Sequence, residues 1–190
     1  NSVSCDWESK MILTDTYNWT IIDDGNACPI NDENIHDAAD LWISNQELAT
    51  TIYGNISNWD VSAVTNMLNL FKNKSYFNDD ISSWNVSNVV NMQGLFYNAT
   101  SFNQPVGNWD VSSVTTMKYM FSNASSFNQD LSSWDVSNVN NMSRMFRNSV
   151  SFNKDISSWN VSNVNDMSFM FAYASSFDQI GPITSSEEDA

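Results

Sequence analysis

A tryptophan returns every 25 residues, at Trp59, Trp84, Trp109, Trp134 and Trp159, and the rest of the register travels with it. Each copy carries a valine pair, such as Val86 and Val89, then a methionine (Met67, Met92, Met117, Met142, Met167). Two phenylalanines follow, the first at Phe71, Phe96, Phe121, Phe146 and Phe171, the second at Phe77, Phe102, Phe127, Phe152 and Phe177. Five copies without an insertion or deletion cannot be a family of independent mini-domains. A period between about 20 and 50 residues marks a solenoid or array in which each unit buries its apolar face only against its neighbours. The unit is too short for a four-stranded blade or a helix pair of about 33–47 residues, but it accommodates one strand and one short helical segment. The fold class expected is therefore an α/β repeat: a right-handed, leucine-rich-repeat-like solenoid of five strand-plus-short-helix coils with an N-terminal cap.

Within a coil, Val86, Val89, Met92, Leu95 and Phe96 fall at steps that suit one side of a short helix or tight 3₁₀-like turn. Asn98 to Ser101 reads as a turn, and Phe102 to about Val106 as the strand. Parallel stacking of such strands at roughly 4.8 Å would place the five indoles in one column. Ahead of the repeats, Asn34 to Tyr53 has helical periodicity, with Asp32 or Asn34 as N-cap and Gly54 as the stop. Residues 1–54 thus form a capping segment, 55–180 the solenoid, and 181–190 an acidic tail or linker. In the first segment, Asn18 to Ile22 reads as a short strand. Cys5 and Cys28, the two cysteines of the chain, point to a disulfide closing that segment, the alternative being two buried thiols.

Composition narrows the function. Hydrophobic residues make up 42% of the chain and aromatics 13%, enough for a core. A formal charge of −15 argues against nucleic acid and anionic membranes as partners. No apolar run approaches the roughly 18–20 residues of a membrane span. The absence of an initial Met or signal-like segment suggests that a leader has been removed. The lone histidine, His36, has no nucleophile motif beside it, and the serines recur at repeat positions where they cap and turn. A glycosidase acid pair would be unique, not repeated five times. The chain reads as a non-enzyme without a required cofactor.

The unit from Ser126-Phe127-Asn128-Gln129 through Trp134-Asp135-Val136-Ser137 to Asn141-Met142-Ser143-Arg144-Met145-Phe146 closely resembles the BspA-like leucine-rich repeat. That repeat of about 25–26 residues occurs in bacterial surface proteins, mycoplasma lipoproteins and microalgal and protist proteins. The resemblance spans roughly residues 35 to 180 and implies an extracellular or cell-surface solenoid for adhesion or for binding a protein or glycan. The last copy departs from the pattern: Tyr173 replaces the turn Asn, Asp178 the strand Asn, and Ile180-Gly181 the Asp/Pro-hydrophobic pair.

Residues that vary at a fixed position of a repeat are where a binding site can be written. On the expected strand face these are Asp79, Gln104, Gln129 and Lys154. The asparagine columns Asn73, Asn98, Asn123, Asn148 and Asn78, Asn103, Asn128, Asn153 read as ladders of side-chain amides. Asp80, Asp130 and Asp155 form a column that could hold Ca²⁺, or else simply close turns. Eight N-glycosylation sequons occur. Asn18, Asn55, Asn85 and Asn160 suit modification better than the ladder members. An alternative to partner binding is structural assembly through an uncovered solenoid edge, end to end or as an oligomer.

Overall fold

The computed structural model describes residues 28–179, and within them the 25-residue Trp/Phe pattern becomes a stack of repeats. Regular secondary structure is confined to the N-terminal side. Helix α1 spans Ile35–Ser44 and α2 spans Gln46–Tyr53, followed by a 3₁₀ turn at Ile56–Asn58. The single helix expected over 34–53 is split at Asn45, whose extended backbone ends α1 and whose Oδ1 accepts the Leu48 N–H to open α2. The helices bury Ile35, Ala38, Ala39 and Trp42 from α1 and Ala49, Ile52 and Tyr53 from α2. Gly54 stops α2 with φ 77, a region that a side chain would strain. Asn34 occupies the N-cap position of α1 without capping it, because its side chain bonds Asn31 N–H and the Pro29 carbonyl.

The repeats contain neither the expected helix nor the expected strand. Pairing between coils is limited to isolated parallel bridges, Asn66 to Asn91, Asn91 to Thr116, Thr116 to Asn141 and Asn141 to Asp166. The continuous ladder lies just beyond them, in the stretch expected to be helical. The N–H groups of Met67, Asn69, Phe71 and Asn73 donate to the carbonyls of Asn91, Gln93, Leu95 and Tyr97 at 2.8–2.9 Å. Between them, Leu70, Lys72 and Lys74 donate three residues back within their own coil. Successive β-turns thus satisfy one set of N–H groups while the next coil satisfies the other. The alternation requires positive φ at two positions per coil, for example Asn69 (58°) and Asn73 (63°), as a turn with a left-handed third residue does. Phe102–Val106 carries no bridge, so the expected strand is irregular backbone.

The core is a set of aromatic columns. The first phenylalanines stack from coil to coil at 5.5–5.8 Å and the second at 5.8–6.0 Å, with Phe71 on Phe77 at 3.8 Å inside one coil. Trp59 stacks on Trp84 at 6.1 Å and Trp134 on Trp159 at 6.3 Å. The indole N–H of Trp84, Trp109, Trp134 and Trp159 donates to a carbonyl of the preceding coil, at Ile56, Ile81, Val106 and Leu131. Each indole therefore removes its one polar atom from an otherwise dry stack.

The two ends differ. At the first coil Trp42 packs edge-on against Trp59 and donates to Asp79. Asp32 accepts from Thr65 N–H, Thr65 hydroxyl and Asn66 N–H, standing in for a preceding coil. At the fifth coil Val161, Val164, Met167, Phe171 and Phe177 are only partly buried. The N–H groups of Met167, Phe169, Phe171 and Tyr173 there have no acceptor among the described residues. No helix among the described residues is long and apolar enough to cross a membrane. Cys28 is buried and its N–H donates to Ile52. Cys5, Asn18, the short strand at 18–22 and the 181–190 tail lie outside the described residues.

Candidate functional site

The columns that hold the fold together can be separated from those that do not. In the ladder of side-chain amides Asn98, Asn123 and Asn148 each donate Nδ2 to the Oδ1 of the Asn one coil before, at 2.7–2.8 Å. The second column accepts backbone N–H groups, Asn103 on Asn78 and Asn128 on Asn103, at 2.8–2.9 Å. Asp80, Asp130 and Asp155 accept the N–H of Ser82, Ser132 and Ser157 at 2.9 Å, each closing its own turn. Ser82's hydroxyl and N–H hold the Asp80 carboxyl below its ordinary value. At Asp130 and Asp155 the serine N–H leads and the hydroxyl follows. Where Pro105 interrupts this column, Gly107 follows, and a Cβ there would collide with the Asp130 carbonyl. Among the described residues no three of His, Cys, Asp and Glu come together as a metal site.

Asp79, Gln104, Gln129 and Lys154 do share one column, half-buried. Three of the four are tied into the scaffold: Asp79 by Trp42, Gln104 Nε2 by the Asn78 carbonyl, and Gln129 Nε2 by Asn103. Asp79 also borders an open cleft of about 350 Å³ between α1 and the first coil, with Lys74 and Tyr76 opposite. The exposed sequons Asn55, Asn85 and Asn160 use Oδ1 to close local turns, while Nδ2, the atom a glycan would join, bonds nothing among the described residues.

The most variable positions lie elsewhere, on the outer side of the turn ladder. One column reads Asn69, Gly94, Tyr119, Arg144, Phe169, and the one three residues on reads Lys72, Tyr97, Ser122, Arg147, Ala172. All five residues of the first column have positive φ, from 56° to 63°. Asn and Gly accept that conformation readily; tyrosine, arginine and phenylalanine do so at a cost of about 1–2 kcal/mol each. Backbone strain held at side chains that the core does not use is a mark of a working surface.

These side chains form one alternating series of cations and rings. Lys72 lies over Tyr97 at 5.6 Å, and Tyr97 meets Tyr119 edge-on at 5.9 Å. Arg144 sits between Tyr119 (5.5 Å) and Phe169 (4.9 Å), and its guanidinium donates to the Tyr119 hydroxyl at 3.1 Å. Lys118 flanks Tyr119 at 5.3 Å, and Arg147 lies over Tyr173 at 5.3 Å. Phe169 is 40% exposed and Tyr173 68%. Among the described residues the ion pair is Lys74 with Asp40, so Lys72, Lys118, Arg144 and Arg147 are held by rings instead of carboxylates. Beneath them Ser122 is fully buried with its hydroxyl unpartnered among the described residues. The sequence signal for this face was present, since a basic or aromatic residue interrupts an otherwise uniform column. Spacing alone does not reveal it, because a short helix or 3₁₀-like turn accounts for the apolar positions without singling out these columns.

No curated protein and no solved structure matches the chain. The family described as "Mycoplasma protein of unknown function, DUF285" matches it over residues 43–137 and again over 104–184. Because those two matches overlap and together run through α2 and all five coils, well over half of the chain, the chain belongs to that family.

Proposed function

We propose that this chain is a non-catalytic binding module of the cell surface or extracellular space, and that its ligand lies on the cation–aromatic face. The observation that carries the reading is the column Tyr119, Arg144, Phe169, in which bulky side chains take positive φ where the first two coils use Asn and Gly. The repeats otherwise explain their polar residues by turns, ladders and caps, leaving no unique acid–base or nucleophile arrangement. The BspA-like resemblance agrees with an adhesive role and with a right-handed, leucine-rich-repeat-like coil path. A Cys5–Cys28 bridge and glycans at Asn55, Asn85 and Asn160 belong to the same extracellular reading.

The test replaces Tyr119, Arg144 and Phe169 together by Asn, the residue the first coil carries at that position. Attachment of the labelled chain to cells or matrix of its own source should fall while its thermal midpoint stays in place. If a Gln104, Gln129 and Lys154 variant lost attachment instead, the site would belong to that column. Turnover of a substrate, abolished by one surface substitution, would overturn the non-enzymatic reading.

The fifth coil supports a second reading, assembly. Its four N–H groups without an acceptor among the described residues and its partly exposed apolar side chains form an edge that another chain could extend. Concentration-dependent sedimentation would favour assembly, and a monomer at all concentrations the binding module.

A further inference from the structure

Resting on the binding reading above, we infer that the ligand of the cation–aromatic face is an anionic polysaccharide, carboxylated or sulfated, lying along the axis of the stack. The first argument is charge. In a chain with 22 acidic and 7 basic residues, four of the six described cations, Lys72, Lys118, Arg144 and Arg147, share one face without a carboxylate partner among the described residues. Rings position them, and although Lys118 also acts on the nearby Asp166 carboxylate, Lys72, Arg144 and Arg147 keep their charge available. The Arg144 guanidinium uses one recorded hydrogen bond of the five N–H donors a guanidinium has. The planar fork that remains suits a carboxylate or sulfate.

The second argument is shape. The series from Lys72 to Phe169 crosses all five coils, roughly 19 Å at about 4.8 Å per coil. It is a track for a linear polymer and not a pocket for a small molecule. The cations fall in the first, third and fourth coils, with Arg144 and Arg147 sharing the fourth, which fits a polymer with spaced charge. DNA, with one charge per roughly 1.7 Å, would be repelled by the rest of this acidic surface.

The third argument separates a glycan from an acidic peptide. Extended peptides gain much of their affinity from main-chain hydrogen bonds to an open edge. Along this face the backbone is already used: the N–H groups of Met92, Gly94, Phe96 and Asn98 bond the third coil and those of Met117, Tyr119, Phe121 and Asn123 the fourth. Over the second and third coils recognition must therefore come from side chains, and N–H groups without an acceptor among the described residues appear along this face only at the fifth coil. The exposed parts of the Phe169 and Tyr173 rings offer apolar platforms for the C–H faces of sugar rings, with Arg144 and Arg147 beside them for the anionic groups.

The experiment measures binding of the whole chain to immobilised heparin, alginate, neutral dextran, polyglutamate and single-stranded RNA, at low and high salt. Heparin or alginate should bind and dextran should not, with affinity falling as salt rises. An Arg144→Asn, Arg147→Ser variant, built from residues found in other coils of the same columns, should bind at least about tenfold more weakly, as should charge-neutral Tyr119→Asn. Polyglutamate or RNA binding as tightly as both polysaccharides would overturn the glycan assignment, as would arginine variants that bind them unchanged. If no polysaccharide binds but the triple Asn variant still loses attachment to native surfaces, the ligand class fails and the binding face stands. If neither assay responds, both fall.

Discussion

Tyr119 and Phe169 occupy a backbone position that their neighbours in the column fill with Asn69 and Gly94. Left-handed backbone costs a non-glycine residue about 1–2 kcal/mol, and exposed cation–π contacts return about 0.5–1 kcal/mol. Tyr119→Asn should therefore leave the urea midpoint unchanged or raise it, while binding weakens. A loss above about 2 kcal/mol would mean that the ring is structural. The core tryptophans behave oppositely. Trp109 is buried and donates to the Ile81 carbonyl at 3.2 Å. Trp109→Ala should destabilise by about 3–5 kcal/mol, as large-to-small core changes do. Trp109→Phe keeps most of the packing and removes one of two hydrogen bonds to that carbonyl, which still accepts the Trp84 N–H, so it should lose about 0.5–1.5 kcal/mol. Equal losses for the two variants in chemical denaturation would show that the hydrogen bond, and not the volume, decides.

At the level of elements, the first coil depends on Asp32, which crosses 33 positions to accept from Thr65. Its modest burial opposes ionisation, but the Thr65 hydroxyl, the Thr65 N–H and the Asn66 N–H outweigh it and hold the carboxyl below its ordinary value. A depressed folded value means a contribution that is present above the unfolded aspartate value of about 3.9 and lost as pH falls through the folded one. Asp32→Ala should thus destabilise by about 1 kcal/mol near neutrality, and the difference from the parent should close in acid. A gap of constant size down to pH about 2 would remove the carboxylate from the account. The repeat length, the aromatic columns and the amide ladder at Asn73, Asn98, Asn123 and Asn148 were legible in sequence because each is a fixed residue at a fixed spacing. The path of the backbone was not. Steps of three between Val89, Met92 and Leu95 fit a helix and a run of β-turns equally well, since both return a side chain to one face after three residues. The signal that separates them is the Asn or Gly recurring four residues apart, as at Gly94 and Asn98, which supplies left-handed backbone that a helix would not use. Reading that stretch as a ladder would have exposed its outer columns and moved the candidate site away from Gln104 and Gln129.

Across the whole molecule the stack is asymmetric, and the asymmetry should govern how it opens. The first coil is closed by α1, α2 and Asp32, while coils two to four are held on both sides by the ladder and the ring columns. The fifth coil has a neighbour on one side only among the described residues. Its Phe171 stacks on Phe146 at 5.7 Å and on Phe177 of its own coil at 4.0 Å, and no ring of a following coil covers it among the described residues. In a repeat array, stability is close to a sum of intrinsic and nearest-neighbour terms, so a coil with one interface unfolds before a coil with two. Hydrogen exchange should record this residue by residue. The N–H groups of Met142, Arg144, Phe146 and Asn148 bond the fifth coil and should exchange slowly. Those of Met167, Phe169, Phe171 and Tyr173 should exchange faster at dilute protein, even though they occupy the same positions one coil later. The comparison also judges the two functional readings. Fast exchange that persists as concentration rises is the behaviour of a monomeric binding module with a free last coil. Protection that grows with concentration at those four amides, and not at Met142 to Asn148, would place a second molecule on the edge and make assembly the function of this end of the stack.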